Sequence, residues 1–451
     1  MDKIDTLRDH GLFDAKVPRY TSYPPANHFR EGIGPRYQAH WLDAVPQGSD
    51  ISVYVHIPFC KRLCWFCACR TQGTQTMRPV EAYVATLIDE LHRVRDQLPA
   101  DLRMARLHLG GGTPTILTAP LMESLLDAMF AAFDRPEDFE FSVEIDPTEA
   151  SAPLLDTLTD YGMNRASIGV QDFAPEVQRA IGRPQSFAQT RAVVDHLRAR
   201  GLESLNLDLL YGLPLQTARS FGDTLGLVRQ MSPDRLAIYG YAHVPWMSKR
   251  QVMIKDKDLP DAQTRFALSE QARAFFTGDG YDMIGIDHFA RPDDSLARAA
   301  RDGRLRRNFQ GYTDDTAPTL VGLGASAISR FGEGYVQNAA ATSAYQARIA
   351  AGGLAGHKGY RMRPQDSLVA AIIDDLMCRF ALDERALAAA FPAQAAVLRD
   401  IVRGLLATFP GLFRIGPGGL HLEEDAHPLV RIIAHHVDSF AATGQAHSAA
   451  I

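Results

Sequence analysis

Two spacings of apolar residues alternate along the first half of the chain. Residues 51–57 form a short apolar segment rich in β-branched side chains, which indicates a strand, whereas residues 80–98 carry apolar side chains at every third or fourth position, which indicates an amphipathic helix. Gly162 and Gly201 follow two of the helical segments and end them. The predicted strands are residues 51–57, 106–109, 139–145, 166–170, 205–211 and 236–241, and the predicted helices are residues 80–98, 121–133, 154–161, 187–200 and 221–231.

Strands that alternate with helices predict an α/β fold with a parallel sheet. Helical crossovers between consecutive strands make those strands parallel, and the crossovers are right-handed. An open sheet and an incomplete barrel both fit this pattern. In either architecture we expect the functional side chains at the carboxyl ends of the strands.

The pattern divides the chain into three parts. Residues 1–48 look irregular, and their tyrosine-rich segment around Tyr20 and Tyr23 is expected to act as an N-terminal lid. Residues 49–355 hold the α/β core and an extension. Residues 356–451 read as a mostly helical, winged-helix-like domain, with helices at 367–380, 384–390, 396–409 and 427–440 and a hairpin formed by 413–415 and 420–422.

Composition and charge exclude several classes of protein. The chain has 451 residues, is 46% hydrophobic and carries a formal net charge of −6. It shows no basic stripe of the kind that binds nucleic acid, so we expect no nucleic-acid partner even with a winged domain. No apolar run is long enough to span a membrane, and the polar N-terminus does not read as a secretory signal. We therefore expect a cytoplasmic protein.

Four of the five cysteines fall in one window directly after the first predicted strand. The window contains Cys60, Cys64, Cys67 and Cys69. A loop with C-x3-C-x2-C spacing can supply three thiolates to a [4Fe–4S] cluster, which normally takes four. The remaining iron is then open, and S-adenosylmethionine can chelate it through its amino and carboxylate groups. We therefore predict an iron–sulfur cluster on this loop.

Other interpretations of the cysteine window are weaker. A structural zinc site needs a second pair of ligands, and the next cysteine, Cys378, lies far downstream. A disulfide is not expected in a chain without an export signal. Cys69 could be a fourth ligand, a catalytic thiol or a bystander, and the open iron argues against the ligand role.

Further motifs stand where predicted strands end. The segment Gly110-Gly-Gly-Thr-Pro-Thr115 could be a tight turn, or it could let a ligand approach the backbone closely. Glu144, Gln171 and Asp208 recur at the ends of three strands, which favours one shared pocket. Arg183 follows a short helix, and exposure to solvent is the usual fate of such an arginine.

These motifs together resemble one family, the oxygen-independent coproporphyrinogen III oxidases of the radical S-adenosylmethionine superfamily. The resemblance covers nearly the whole chain, and the order of the motifs agrees. Pro25 and Ala68 depart from the family pattern, but neither change removes a ligand. The matching strings are Arg19-Tyr-Thr-Ser-Tyr-Pro24, Tyr54-Val-His-Ile-Pro-Phe-Cys60 with Cys64, Cys67 and Cys69, Gly110-Gly-Gly-Thr-Pro-Thr115, Ser167-Ile-Gly-Val-Gln-Asp-Phe173, Asp208-Leu-Leu-Tyr-Gly-Leu-Pro214, Asp287-His-Phe-Ala-Arg-Pro292 and Arg307-Asn-Phe-Gln-Gly-Tyr312.

The resemblance implies a fold, a reaction and partners. The fold is a partial parallel (β/α)6 barrel of the radical S-adenosylmethionine type. The reaction is the oxidative decarboxylation of two propionates of coproporphyrinogen III to vinyl groups, which gives protoporphyrinogen IX through a 5′-deoxyadenosyl radical. The cofactors are a [4Fe–4S] cluster and two S-adenosylmethionine molecules. The partners are the tetrapyrrole and an electron donor such as flavodoxin or ferredoxin, and we expect a monomer.

The resemblance also implies roles for individual residues. Gly111 belongs to one S-adenosylmethionine, whereas Gly112, Thr113 and Arg183 belong to the other, with Arg183 as a carboxylate partner. Glu144 is expected to contact the ribose hydroxyls or the amino group. The implied cluster ligands are Cys60, Cys64 and Cys67, and the implied catalytic residues are these three cysteines with Tyr54 and Glu144. The implied cofactor contacts are Tyr54, Phe66, Gly111, Gly112, Thr113, Glu144, Gln171, Arg183, Asp208, Ala242 and Ile328.

Two alternatives stay open within the superfamily. One is a haem-binding chaperone, and the other is a different radical enzyme that acts on tetrapyrroles. Cys69, Arg19 with Tyr20, and the string that begins at Arg307 favour the oxidase over the chaperone. The substrate carries four propionates, and Arg19, Arg291 and Arg307 are candidate partners for them.

Overall fold

A twelve-stranded sheet forms the larger part of the protein. The structure is a computed structural model that describes residues 3–441 and 448–451. The sheet strands are β1 (Asp50–Ile57), β2 (Arg103–Gly111), β3 (Glu140–Ile145), β4 (Arg165–Gln171), β5 (Ser204–Tyr211), β6 (Arg235–Gly240), β7 (Asp282–Ile284), β8 (His288–Ala290), β11 (Thr319–Leu323), β12 (Ile328–Phe331), β13 (Gly334–Asn338) and β14 (Gly356–Arg361), and the hairpin between them is β9 (Arg306–Asn308) and β10 (Gly311–Thr313).

The sheet is parallel at its centre and antiparallel at both ends. Its order is β14-β13-β12-β11-β1-β2-β3-β4-β5-β6-β8-β7. Strands β1 to β6 run parallel in sequence order, and β11 joins β1 as a further parallel strand. The predicted α/β core with six parallel strands is therefore confirmed, and the predicted strands start and end within three residues of the observed ones.

Most helices pack beside the sheet or form the C-terminal unit. The predicted helical crossovers between β1 and β6 are all present. The α-helices are α1 (Lys3–Asp9), α2 (Pro35–Asp43), α3 (Arg78–Gln97), α4 (Ala119–Ala132), α5 (Ala152–Asp160), α6 (Pro175–Ala180), α7 (Phe187–Ala199), α8 (Ala218–Gln230), α9 (Ala262–Gly278), α10 (Ser295–Arg301), α11 (Thr342–Ala350), α12 (Pro364–Arg379), α13 (Glu384–Ala390), α14 (Ala395–Thr408) and α15 (Val430–Val437), and the 3-10 helices are Ala26–His28, Pro114–Ile116, Lys249–Met253, Asp256–Asp258, Pro392–Gln394 and Glu424–Leu429.

The C-terminal unit has its own core and its own small sheet. Strands β15 (Ala381–Asp383), β16 (Phe413–Gly416) and β17 (Gly419–Leu422) form a three-stranded sheet beside helices α12 to α15. The helix predicted at 427–440 is shorter than expected, because Pro428 lies in a 3-10 helix and the α-helix runs only from Val430 to Val437.

The N-terminal segment packs on that C-terminal core. Residues 1–48 are expected from the sequence to be irregular, but α1 and α2 lie within them. Leu7, Leu12 and Val17 are buried among the apolar side chains of the C-terminal helices. Arg431 secures this contact by donating hydrogen bonds to the carbonyl oxygens of Val17 and Pro18. The segment before β1 is thus attached to the far end of the chain.

The central strands alternate in side-chain character although they are parallel. Parallel strands covered on both faces are usually apolar throughout. In β1, however, Ser52, Tyr54 and His56 alternate with Ile51, Val53, Val55 and Ile57, and the same alternation recurs in β3, β4 and β5. The apolar set joins the main core, and most of the polar set lines a cavity, with Tyr54 and His56 as exceptions in β1. This alternation is what positions the functional site.

No helix in the described ranges is long and apolar enough to cross a membrane.

The strand β14 lies directly after residue 355 and pairs with β13, so the large sheet continues past the predicted start of the C-terminal domain.

A buried glutamate on α3 holds the turn between β11 and β12. The Glu90 carboxylate accepts hydrogen bonds from the Gly324 N–H at 2.6 Å, from the Tyr345 hydroxyl at 2.7 Å and from the Asn338 amide at 2.7 Å. Burial, only partly offset by these bonds, raises the pKa of Glu90 to about 7. Gly324 itself has a φ of +97°, and a Cβ there would lie 2.5 Å from the Tyr83 hydroxyl.

The raised pKa of Glu90 predicts a pH-dependent stability. The folded protein binds this proton more tightly than the unfolded chain, so the contribution is present below about pH 4.5 and is lost as pH rises through about 7. Relative to Glu90→Gln, the wild type should therefore lose about 3 kcal/mol of unfolding free energy between these limits. Urea titrations at several pH values test this. The same comparison with Glu81→Gln, an exposed position on the same helix, should be flat.

Candidate active site

A cavity of about 1040 Å³ lies at the carboxyl ends of the parallel strands. Side chains from β2 to β6 form its wall, and the cysteine loop closes one side. Its volume is at the upper end of the range for small-molecule pockets. A large ligand, or more than one ligand, therefore has room here.

The cysteine loop leaves β1 and presents its thiols near this cavity. The Thr113 hydroxyl donates to Cys60 Sγ at 3.5 Å, and Arg183 Nη1 donates to Cys64 Sγ at 3.5 Å. Burial raises the pKa of Cys60 to about 11, whereas a hydrogen bond from Cys69 lowers the pKa of Cys67 to about 6. Each sulfur therefore has a polar neighbour that can stabilise a thiolate.

Contacts with two neighbouring segments fix the loop in place. The indole of Trp65 lies against Gly182, where a Cβ would come within 2.9 Å of the ring, and the backbone N–H of Trp65 donates to the Ile181 carbonyl at 2.9 Å. The buried side chain of Gln251 donates to the Phe66 carbonyl at 2.7 Å, and Ser248 donates to the Cys67 carbonyl at 2.9 Å. The backbone of the cysteine loop is therefore held from both sides, which fixes the positions of the thiols.

The glycine motif forms the turn beside the loop. Gly112 N–H donates to the Ile57 carbonyl at 2.8 Å, and a Cβ on Gly112 would lie 2.6 Å from the Phe59 carbonyl oxygen. Gly111 has a φ of +113°, which favours glycine, and a Cβ there would lie 2.5 Å from the ring of His56. Only glycine allows this backbone to lie so close to the cysteine loop.

Glu144 faces the cavity from the end of β3. Its carboxylate accepts from the Gly111 N–H at 3.0 Å and lies 3.4 Å from His108 Nε2. Burial opposes ionisation, but the hydrogen bonds from His108 and Gly111 outweigh it, so the pKa of Glu144 is below its usual value. Glu144 is therefore an anionic hydrogen-bond acceptor at neutral pH.

Asp208 and Gln171 continue this wall along β5 and β4. Asp208 accepts from the Ser167 hydroxyl at 2.9 Å and from the Asn206 amide at 2.7 Å. Burial and the nearby Glu144 raise the pKa of Asp208. Gln171 has a φ of +66° at a bulge in β4, and this conformation places its side chain at the cavity wall.

Arg183 is buried, contrary to the usual fate of an arginine after a helix. It pairs with Asp146 at 3.0 Å and donates to the Gly169 carbonyl at 3.0 Å and to Gln185 at 3.1 Å, in addition to its contact with Cys64. The guanidinium thus connects the cysteine loop to the ends of β3 and β4. Its charge favours a thiolate at Cys64.

The donor set fits an iron–sulfur cluster. The fit is seen in the three thiols on one loop, with Thr113 and Arg183 as hydrogen-bond donors to two of the sulfurs. Among the described residues, no three His, Cys, Asp or Glu side chains are gathered closely enough to enclose a single metal ion. The glycine turn packs closely against the segment that leads into the cysteine loop, because a Cβ on Gly112 would lie 2.6 Å from the Phe59 carbonyl oxygen.

Most of the sequence-predicted site residues lie at this one cavity. Cys60 and Cys64 are set behind its wall, where Thr113 and Arg183 contact their sulfurs. The predicted residues on the wall are Phe66, Cys67, Gly111, Gly112, Thr113, Glu144, Gln171, Arg183, Asp208 and Ala242.

Tyr54 and Ile328 are not part of the cavity wall. The ring of Tyr54 stacks on His108 with centroids 5.8 Å apart, and its edge lies 3.1 Å from the position of a Cβ on Gly110. Tyr54 therefore packs against the glycine turn. Ile328 begins β12, and its backbone packs against Gly322.

A smaller cavity of about 160 Å³ adjoins the first near the end of β6. Five arginines line it: Arg19, Arg265, Arg273, Arg307 and Arg431. Its acidic lining residues are Glu270, Asp287, Glu424 and Asp425. Arg273 is paired with Glu270 at 2.7 Å, and Asp287 lies 4.0 Å from Arg307. The Arg307 side chain is 4% exposed, and its Nε and Nη1 have no hydrogen-bond partner in the described part of the chain. Burial, together with the charges of Arg19 and Arg307, lowers the pKa of Arg431 to about 9.

The sequence interpretation missed several residues of these sites. His108 and Ser142 belong to the polar alternation in β2 and β3, and counting that alternation would have identified them. Arg265 lies within helix α9 and Gln251 in a short 3-10 helix, and neither carries a local signal. Of the arginines proposed for propionates, Arg19 and Arg307 line the smaller cavity, whereas Arg291 stacks on Tyr281, 4.5 Å from the ring centroid.

Comparisons with known proteins agree with this geometry. The Radical SAM superfamily profile matches residues 54–228. The chain is 52% identical over 441 residues to an oxygen-independent coproporphyrinogen III oxidase of Cereibacter sphaeroides, with 98% of each chain covered. It is 49% identical over 451 residues to one from Paracoccus denitrificans, with 100% of each covered. It also matches the solved coproporphyrinogen III oxidase HemN of Escherichia coli, described as a radical SAM enzyme, with a TM-score of 0.89 and 37% identity over 94% of this chain and 100% of that one.

The contact between Trp65 and Gly182 predicts a specific loss of iron. Gly182→Ala should displace the indole and with it the cysteine loop, so that iron bound per chain after anaerobic reconstitution falls to less than about half of wild type. Gly201→Ala is the matched control, because Gly201 also has a positive φ but no atom lies within 4 Å of the position that its Cβ would take. Equal iron content in the two variants would contradict the role of this contact.

Proposed function

Because the chain belongs to the oxygen-independent coproporphyrinogen III oxidases of the radical SAM superfamily, we propose that its large cavity holds the cofactors and the tetrapyrrole of that reaction. The protein is an oxidoreductase that decarboxylates two propionates of coproporphyrinogen III to vinyl groups without oxygen. A haem-binding chaperone is not favoured, since the full-length relatives are oxidases.

The enzyme uses a [4Fe–4S] cluster and S-adenosylmethionine, as its superfamily implies. We propose that Cys60, Cys64 and Cys67 hold the cluster. When bound, the cluster and S-adenosylmethionine supply the 5′-deoxyadenosyl radical that takes a hydrogen atom from the β-carbon of a propionate. The observation that carries this assignment is that the three-thiol loop and the glycine turn meet at one cavity.

The residues of the wall divide between binding and support. The anionic Glu144, which the Gly111 N–H holds in place, can bind a polar group of one S-adenosylmethionine. Tyr54 and Ile328 then act indirectly on the cofactors. Tyr54 packs against Gly110 of the glycine turn, and Ile328 packs against Gly322 of strand β11. Two S-adenosylmethionine molecules are our proposal for the stoichiometry, and the second would contact Gly112, Thr113 and Arg183. Phe66, Gln171, Asp208 and Ala242 are proposed as further cofactor contacts on the same wall.

We propose that the smaller, arginine-lined cavity binds a propionate of the substrate. The carboxylate of Glu270 is paired with Lys3 and Arg273, whereas Arg19, Arg307 and Arg431 lie near one carboxylate, Asp287. An excess of buried positive charge is costly without an anion. Arg307 carries two unpartnered nitrogens, which suits a carboxylate ligand. A propionate held here would position the tetrapyrrole in the larger cavity.

Other aspects of the enzyme stay proposals from the sequence. We propose that it works as a monomer in the cytoplasm, with flavodoxin or ferredoxin as electron donor. We also propose three domains with the boundaries given above, in which residues 1–48 act as a lid. In support of the lid, Arg19 donates to the Gly240 carbonyl at 2.6 Å, beside both cavities.

Anaerobic turnover tests the function directly. Reconstituted protein, given dithionite, S-adenosylmethionine and coproporphyrinogen III, should form 5′-deoxyadenosine, CO2 and a product with two vinyl groups, all measured by mass spectrometry. Cys64→Ala should abolish all three because it removes a cluster ligand. Cys378→Ala is the control, since this cysteine lies in helix α12, and it should retain turnover. Turnover without vinyl product would reject the assignment.

Loss of a propionate partner should weaken substrate binding without stopping S-adenosylmethionine cleavage. Arg307→Gln removes a charge-assisted contact of about 1.5–3 kcal/mol, so the KM for coproporphyrinogen III should rise about 10-fold or more. Formation of 5′-deoxyadenosine without the tetrapyrrole should be unchanged. Arg291→Gln, whose guanidinium stacks on Tyr281, should leave KM as it is. Equal KM values for the two variants would contradict the proposal.

A further inference from the structure

Exposed apolar side chains are concentrated on one surface beside the cysteine loop. In the described part of the chain eight large apolar side chains are exposed, and three of them, Met283, Val397 and Ile415, lie elsewhere. The other five form what we call the loop-side patch: Leu215, Trp246, Met247, Val252 and Met253. Within this patch, Met247 is 72% exposed and Val252 is 67% exposed.

Hydrogen bonds attach the patch directly to the cysteine loop. Between its exposed side chains, Ser248 donates to the Cys67 carbonyl at 2.9 Å, Gln251 to the Phe66 carbonyl at 2.7 Å and Arg250 to the Thr71 carbonyl at 2.8 Å. Leu215 joins the same surface because its N–H donates to the Asp258 carbonyl at 2.8 Å. A molecule bound to the patch would therefore lie next to the thiols.

Buried contacts hold the segment that carries Val252 and Met253, so the exposure of its apolar side chains does not result from poor packing. Ile254 is buried and packs in one cluster with Trp65 and Phe66 of the cysteine loop. Val252 and Met253 point outward from the same short 3-10 helix. Contiguous exposed apolar surface of this kind marks an interaction site.

The charge around the patch is opposite to that of the whole protein. Residues 60–71 and 244–258 together carry seven lysines and arginines and two aspartates, and Glu149 pairs with Lys61 of this set at 2.6 Å. Their net charge with Glu149 included is about +4 in a chain whose net charge is −6. Lys249, Lys255 and Lys257 are exposed. An apolar centre with a positive rim is complementary to an acidic protein, and small interfaces of this kind are typical of transient electron-transfer complexes.

We propose that the loop-side patch is the docking surface for a small acidic one-electron carrier protein of the flavodoxin or ferredoxin type. This proposal rests on the proposed function, because a cluster that cleaves S-adenosylmethionine must first receive an electron. In the complex the reduced carrier loses one electron, and the oxidised cluster on Cys60, Cys64 and Cys67 gains it. No bond forms or breaks in that step.

The variants that test this avoid the cavity wall. Trp246 and Met247 also line the large cavity and are left unchanged. The test variants are Val252→Asp with Met253→Asp, and Lys255→Glu with Lys257→Glu. The matched controls lie on the C-terminal unit: Ile415→Asp, at a side chain that is 75% exposed, and Arg399→Glu, at an exposed position.

Reduction of the cluster is measured by stopped-flow absorbance in the reconstituted holoenzyme. The reductant is either a bacterial flavodoxin in its hydroquinone form or dithionite. Both patch variants should lower the second-order rate constant for reduction by flavodoxin by about tenfold, and salt at about 0.5 M should do the same to the wild type. Reduction by dithionite should be unchanged, because that small reductant needs no docking surface. Calorimetric binding of oxidised flavodoxin should weaken in parallel.

The outcomes separate this proposal from the proposed function. Patch variants that accept electrons from flavodoxin as fast as wild type, or controls that lose as much as they do, would overturn the docking site. A concentration-dependent dimer that the patch variants abolish would identify a second copy as the occupant and also overturn it. Failure of the wild type to form 5′-deoxyadenosine with dithionite would instead reject the proposed function.

Discussion

The register of the parallel strands is the constraint on which the rest of the structure depends. Backbone pairing aligns Ile57 with Gly111, so that the cysteine loop and the glycine turn leave neighbouring strands at the same level. Pairing between β4 and β5 aligns Gly169 with Asp208. A shift of one residue in any strand would turn its polar side chains into the apolar core. The site therefore exists only in this register.

That register gives the cavity side of the sheet a character that differs from an ordinary packed core. Polar side chains on alternate positions face inward, and salt bridges such as Arg106 with Glu140 at 2.9 Å neutralise charges at the bottom of the cavity. Nearer the strand ends, the pKa values of Glu144 and Asp208 are shifted in opposite directions, because burial and the charge of Glu144 raise the pKa of Asp208, whereas hydrogen bonds from His108 and Gly111 outweigh burial at Glu144. The cavity thus offers both an anionic acceptor and a carboxyl that takes up a proton more readily.

The two ends of the chain complete the site from outside the sheet. Tyr20 donates to Asp438 at 3.0 Å, and Arg431 holds the carbonyls of Val17 and Pro18, so the N-terminal segment cannot leave without disrupting the C-terminal unit. The same arrangement brings Arg19 to the smaller cavity. The position of Arg19 beside both cavities therefore depends on contacts with the C-terminal helices.

The sequence alone determined what depends on neighbours in the chain. The spacing of the cysteines, the helix and strand periods and the glycine motif predicted the (β/α) core, the cluster loop and most of the cavity wall, because each is a local pattern. The tertiary structure decided what depends on distant contacts: the antiparallel extensions of the sheet, the attachment of residues 3–23 to the C-terminal core, the burial of Arg183 and the meeting of Arg19, Arg265, Arg307 and Arg431. Long side chains such as arginine are exposed by default, and only packing between remote segments removes the water around them.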